Sequence, residues 1–106
     1  MKYKIEYVNK KIKGGYIGLN AEAAKQLHIP FHHKHPEHTI LIYKKVPKDV
    51  RTTTEHHEMA EEYFVKNLHE GRKESHYNAL RFENLNKPFP TNNIKQKLKE
   101  MKFKTK

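Results

Sequence analysis

Apolar residues recur along this chain with two different periods, and the change from one to the other falls near residue 50. In "YKIEYV", Tyr3, Ile5 and Tyr7 alternate with Lys4 and Glu6, the period of a half-buried strand. "NKKIKGG" is turn-rich and "YIGL" resumes a strand, so residues 2–19 read as a β-hairpin. Asn20 then caps a short helix, "AEAAKQL", which must stop before "IP" because Pro30 disfavours helix at Ile29. "TILIYKKV", residues 39–46, joins β-branched and aromatic residues in the strongest strand pattern of the chain, and Pro47 ends it.

Beyond that proline the spacing becomes helical. Thr52, Thr53 or Thr54 is the expected N-cap of a helix beginning near Glu55, whose charge suits the first turn. Met59, Tyr63 and Phe64 form its apolar stripe, and Gly71 marks an end near His69. Ser75 is the expected cap of a second helix that turns Ala79, Leu80 and Phe82 inward. "NKPFP" breaks it, and Thr91 is read as the cap of a last helix with Ile94, Leu98 and Met101 on one face. The order strand, strand, helix, strand and three helices predicts a small α+β domain. It is one domain, residues 1–106, with a strand-rich half (1–50) and a helical half (51–106) that ends in a basic helix.

Composition sharpens this picture in four ways. Hydrophobic residues make up 35% and charged residues 32% of the 106, so the single core must be lean. There is no cysteine, so any metal must be held by imidazole and carboxylate. No stretch approaches membrane-spanning length and "MKYKIEYVNKK" has no apolar signal region, so a soluble, cytoplasmic protein away from membranes is expected. The formal net charge of +10 favours a polyanionic partner. The best candidate for that contact is the tail, where Lys95, Lys97, Lys99, Lys102, Lys104 and Lys106 surround a narrow apolar stripe. Lysines in this arrangement touch phosphates without reading sequence, which predicts non-specific nucleic-acid binding. The alternative is a solubilising helix. Since the tail and the polar cluster described next use different residues, truncation after Pro90 is expected to leave metal content unchanged.

"TTTEHHEMAEEYFVKN", residues 52–67, carries the chain's densest chemistry. His57, Glu58 and Glu61 spell H-E-x-x-E, and residues four apart lie on one helical face. His57 and Glu61 can therefore reach one metal ion, while Glu58 addresses the adjacent water as a general base. This is the H-E-x-x-H metallopeptidase helix with its second histidine replaced by a carboxylate. The replacement makes the site harder and more hospitable to manganese, iron or magnesium. The same letters also arise by chance on a solvated face rich in histidine and glutamate. Further on, "SHYNALRFE" places His76 and Glu83 seven apart on one face of the second helix.

A strand ending in proline, then H-E-x-x-E, a glycine and H-x-x-A-x-x-x-E resembles a small zincin-like domain of phage and archaeal proteins of unassigned activity. The residues that carry the resemblance are His57, Glu58, Glu61, Gly71, His76, Ala79 and Glu83. "KGGYIGLNAEAA" also looks like the N-terminal part of archaeal members. The resemblance reaches to about Glu83 and leaves out the last helix. It implies a metal-binding fold, with zinc or manganese as the suspected ion, and no particular reaction. The sequence departs from the pattern where "YFVKN" replaces a leucine-methionine pair, and where Arg72 replaces a tyrosine four before the second histidine.

Simple geometry ranks the remaining ligands. A tight helical hairpin about Gly71 would set Glu83 beside Glu61 and leave His76 about 9 Å toward the loop, at 1.5 Å per residue. Glu83 is then the better third ligand, and His76 is either a ligand or a supporting polar residue. Weaker signals add little. The loop histidines His32, His33, His35 and His38 fit no defined metal geometry, and His28 and His69 suit helix C-termini. Gly14 and Gly15 are too isolated to cradle a phosphate, and Asp49 is the only aspartate, which argues against a Ser-His-Asp triad. Two function classes follow: a metal-dependent hydrolase, with peptide as the expected substrate, or a non-enzymatic basic protein that binds nucleic acid or an acidic partner.

Overall fold

A computed structural model describes residues 3–29, 31, 39–85 and 87–103. The element order is the expected one: β1 (Lys4–Val8), β2 (Gly18–Asn20), α1 (Ala21–Leu27), β3 (Thr39–Tyr43), α2 (Lys48–Leu68), α3 (Arg72–Asn84) and α4 (Ile94–Glu100). The class is α+β, and among the described residues no helix is long and apolar enough to cross a membrane.

The strands do not form the expected hairpin. β3 lies in the middle of the sheet, parallel to β1 and antiparallel to β2. β3 is the most apolar strand, with Ile40 and Ile42 fully buried, so a neighbour on each edge satisfies its backbone groups. β2, with only three residues, runs straight into α1. There Asn20 accepts from the backbone N–H of Ala23 at 2.8 Å, as its cap position predicts.

α2 begins earlier than the threonines suggested. Pro47 occupies the N-cap position, and Arg51 ties the entry down through Nε to the Val46 carbonyl and Nη2 to that of Lys44. Thr53 and Thr54 instead turn their hydroxyls back to the carbonyls of Asp49 and Val50, so neither is a cap. The helix does end where expected, at His69 in the left-handed region. Gly71, with extended backbone, is the N-cap of α3. Ser75 is therefore not a cap; it lies buried in the first turn, its hydroxyl donating to the Arg72 carbonyl. Leu80, expected to turn inward, is exposed, whereas Ala79 and Phe82 are buried.

The main core lies where α2, α3 and the C-terminal segment meet. Phe64, Phe82, Phe89, Leu98 and Phe103 bury against one another around Ala60 and Ala79. The last helix is thus a structural member of the domain, begun by Asn93 and not by Thr91. Ile94 and Leu98 are buried and Met101 packs against the same core, as their spacing predicts. That integration argues against the expectation that truncation after Pro90 would leave the metal site intact. A smaller cluster of Ile12, Leu19, Ala23 and Ala24 seats α1 on the sheet.

Candidate metal centre

α2 carries two differently buried faces. One supplies Ala60, Tyr63, Phe64 and Leu68 to the aromatic core. The other buries Thr54, His57, Glu58 and Glu61 toward the sheet and α3. Glu61 is the hub of this polar interior. Its Oε2 lies 3.0 Å from His76 Nδ1, 3.4 Å from His57 Nε2 and 3.3 Å from Arg72 Nη1. The two histidine rings stand edge to face with centroids 5.1 Å apart.

His57, Glu61 and His76 form a group that could hold a metal ion, with one donor atom from each within 4.8 Å of the others. Zinc bonds of about 2.0 Å in a tetrahedron put neighbouring donors about 3.3 Å apart, close to the separations found around Glu61. The donor set, two imidazoles and one carboxylate, is a common one for catalytic zinc. The group borders a cleft of about 210 Å³, lined by Tyr16, Ile17, Leu19, Glu58, Arg72 and His76 among others.

His76 is closer than the tight hairpin allowed, and Glu83 sits elsewhere. The connection between α2 and α3 is residues 69–71, symmetric about residue 70. That symmetry sets Glu83 level with His57, and Glu61 level with Ala79. His76 is then three residues from Glu61's level, about 4.5 Å along the axis, a gap two long side chains can span. Glu83 Oε1 approaches the far nitrogen of His57, Nδ1, at 3.4 Å. The alignment there is not that of a hydrogen bond, and His57 Nδ1 is buried with no hydrogen-bond partner in the described structure.

The charges in this interior hold one another in unusual states. Burial, reinforced by the charge of Glu61, pushes the Glu58 carboxyl up to about 8. Burial also opposes ionisation of Glu61, but hydrogen bonds with His57 and His76 and the Arg72 charge outweigh it and bring its pKa down. For His57, burial works against the charged form and is outweighed by the hydrogen bond to Glu61 and the charges of Glu58, Glu61 and Glu83, so its pKa rises. The neighbouring His56 has a separate task. Its Nδ1 accepts the backbone N–H of Phe89 at 3.0 Å, and burial lowers its pKa, which keeps that nitrogen free to accept.

Three contributors were not legible as site residues. Asn20 reads as a cap, yet its Nδ2 also donates toward Glu58 Oε1 at 3.2 Å and Glu61 Oε1 at 3.5 Å. Gly18 reads as part of a strand, yet a Cβ there would lie 2.6 Å from Thr54 Cγ2 and 3.1 Å from Glu58 Cγ, so its bareness lets Glu58 lie against β2. Arg72 stood out in the sequence only as a departure from a pattern. The tail lysines lie apart from this site: Lys95, Lys99 and Lys102 are exposed, Lys97 is half-buried and donates to Asn92 Oδ1 at 3.0 Å, and Lys104 lies outside the described residues. The loop histidines His32, His33, His35 and His38 also lie outside them.

Comparison with protein-family models, curated proteins and solved structures returns no match, so the case for function rests on the chemistry of the site.

Proposed function

We propose that this protein is a divalent-metal-dependent hydrolase of zincin type, with His57, Glu61 and His76 as ligands and Glu58 as general base. The observation that carries this reading is the convergence of three donor atoms around Glu61 Oε2 beside a cleft. A bound zinc or manganese ion supplies Lewis acidity to a water molecule and to a carbonyl oxygen. Glu58, its carboxyl oriented by Asn20, would take the proton of that water and return it to the leaving group. Without metal, burial holds Glu58 protonated at neutral pH, and a bound cation beside Glu61 would bring its pKa down toward the ionised form that a base requires. Glu83 stands 3.4 Å behind the far nitrogen of His57, and a small rotation of either side chain would let it accept from the ring as outer carboxylates do for metal-bound histidines.

Elemental analysis of the untagged protein, followed by zinc and manganese titration, tests the reading. About one ion per chain is expected, with binding abolished in His57→Ala and in His76→Ala. Glu83→Ala should weaken it by roughly 10–100-fold, the usual loss for an outer partner. Protein that carries no metal and shows no thermal shift on adding zinc or manganese would overturn the proposal.

A further inference from the structure

Arg72 is the one arginine or lysine in the wall of the cleft, among the described residues. Its side chain is 30% exposed, and its only described hydrogen bond joins Nη1 to Glu61 Oε2 at 3.3 Å. A guanidinium has five N–H donors in a planar fork, so most of this fork is free for a ligand. The same cleft is lined on its apolar part by Ile17 and Leu27, backed by the buried Leu19 and Ala23. Ile17 and Tyr16 are large side chains left substantially exposed at the rim.

We propose that this cleft receives a carboxylate borne on a small apolar body, the chemistry of a peptide's C-terminal apolar residue, with Arg72 binding the carboxylate. The proposal rests on the hydrolase reading and deepens it by naming the class of ligand the same cleft takes. Three features select this class. The space of about 210 Å³ is smaller than the roughly 300–1,000 Å³ of sites for drug-sized ligands, so it suits a single side chain. The apolar wall gives that side chain a place out of water. The planar fork matches a carboxylate two oxygens at a time. A phosphate dianion matches the fork as well, but it would stand among the carboxylates of Glu58, Glu61 and Glu83, where a second negative charge is disfavoured.

Calorimetric titration of the full-length protein, zinc-loaded and chelator-treated, with N-acetyl-leucine, N-acetyl-leucinamide and inorganic phosphate tests this. The carboxylate should bind zinc-loaded protein about tenfold or more tightly than the neutral amide, the scale of a charge-assisted hydrogen-bond pair. Compared at equal zinc occupancy, Arg72→Ala should bring that ratio close to one, and Arg72→Lys, which keeps the charge without the fork, should lie between. Ile17→Asn should weaken both leucine ligands alike, a change that loss of the carboxylate contact cannot produce. Equal affinity for acid and amide, or a ratio that Arg72→Ala leaves intact, would overturn the proposal, and phosphate binding more tightly than N-acetyl-leucine would do the same. If zinc is not bound but the Arg72-dependent preference persists in chelator-treated protein, the metal reading falls and the carboxylate site stands. Zinc bound at one per chain with no acid preference is the reverse result.

Discussion

The two faces of α2 are equally hidden from water and held there by opposite physics. Phe64 is 0% exposed and Glu61 is 2% exposed, yet they lie within one turn of each other. Around Phe64, the rings of Phe82 and Phe103 pack at tilted angles, and removing this apolar surface from water stabilises the fold by about 25 cal/mol per Å². Around Glu61, two histidines, an arginine and a second carboxylate share hydrogen bonds, and taking such groups out of water works against folding even when they are paired. The aromatic face builds the domain. The polar face works against folding, and metal binding is the role proposed for it.

Breaking the aromatic face should have the largest effect. Phe82→Ala removes a fully buried ring that touches Phe89 and Phe103, and should cost about 3–5 kcal/mol, read as a lowered denaturant midpoint at unchanged slope. Truncation after Pro90 deletes Ile94, Leu98 and Phe103 from the same core at once. The truncated chain should lose its cooperative melt and its metal together. A truncated protein that melts cooperatively would show that α4 contributes nothing to the core.

Gly18→Ala tests the seam between the faces and the sheet, with a smaller effect. The added methyl would meet Thr54 Cγ2 and Glu58 Cγ, and overpacking of this kind costs about 1–3 kcal/mol. Because the methyl presses on Glu58 and leaves Phe64 alone, metal affinity should fall along with the melting temperature. A variant that melts normally and binds metal normally would mean that Glu58 has more room than its contacts indicate.

The same contrast explains what the sequence made legible. Apolar spacing, with the Asn20 cap and Pro30 for α1, announced all seven elements, because burial of Ile40, Ile42, Phe64, Phe82 and Leu98 depends on each residue's own chemistry and its position in a local period. Strand pairing was not legible: nothing within residues 2–19 says that β3 will come between β1 and β2. In the site, H-E-x-x-E was visible as a local spacing on one helix. The separation of His76 from Glu61 depended on where α3 starts, and an error of one turn there misplaced it. Asn20, Gly18 and Arg72 join the site through contacts 38, 36 and 11 residues away in the chain, from Asn20 to Glu58, from Gly18 to Thr54 and from Arg72 to Glu61, which no short-range pattern encodes.

A change of pH should separate the faces without a core mutation. Glu58 ionises near 8 in the folded chain and near 4.5 when exposed, so between those values the folded state holds the extra proton. Stability of the metal-free protein should therefore fall as pH rises from about 5 to about 8. The raised pKa of His57 acts in the same sense, its contribution being lost as pH rises through the folded value. The lowered pKa of Glu61 acts oppositely, but its contribution is lost only as pH falls below the ordinary carboxylate range. Glu58→Gln should flatten the decline while leaving the pH 5 midpoint little changed. Saturating zinc should invert it, since ligands bind metal in their deprotonated forms. Denaturant midpoints at three pH values, with chelator and with zinc, measure both slopes, and parallel slopes would break the assignment of this face to metal.

The smallest effect on stability is expected outside both faces, on the lysines of α4. Ile94 and Leu98 fix the helix to the core, and this orientation leaves Lys95 and Lys99 exposed. Exposed substitutions usually change stability by less than about 0.5 kcal/mol, so Lys95→Gln with Lys99→Gln should leave the melt where it was. Their proposed contribution is to association. A chain of net charge +10 should bind DNA or RNA weakly and without sequence preference, and more weakly as salt is raised. Each lysine that neutralises a phosphate on B-DNA adds about 0.9 to the slope of log affinity against log salt. The double variant should therefore lower that slope by about 1.8 if both lysines touch phosphate, with zinc content unchanged. Lys97, committed to Asn92, should contribute less than either. A slope unaffected by the two substitutions would place the polyanion contact elsewhere on the surface. α4 would then serve the aromatic face alone, closing the core with Leu98 while its lysines keep the outer side in water.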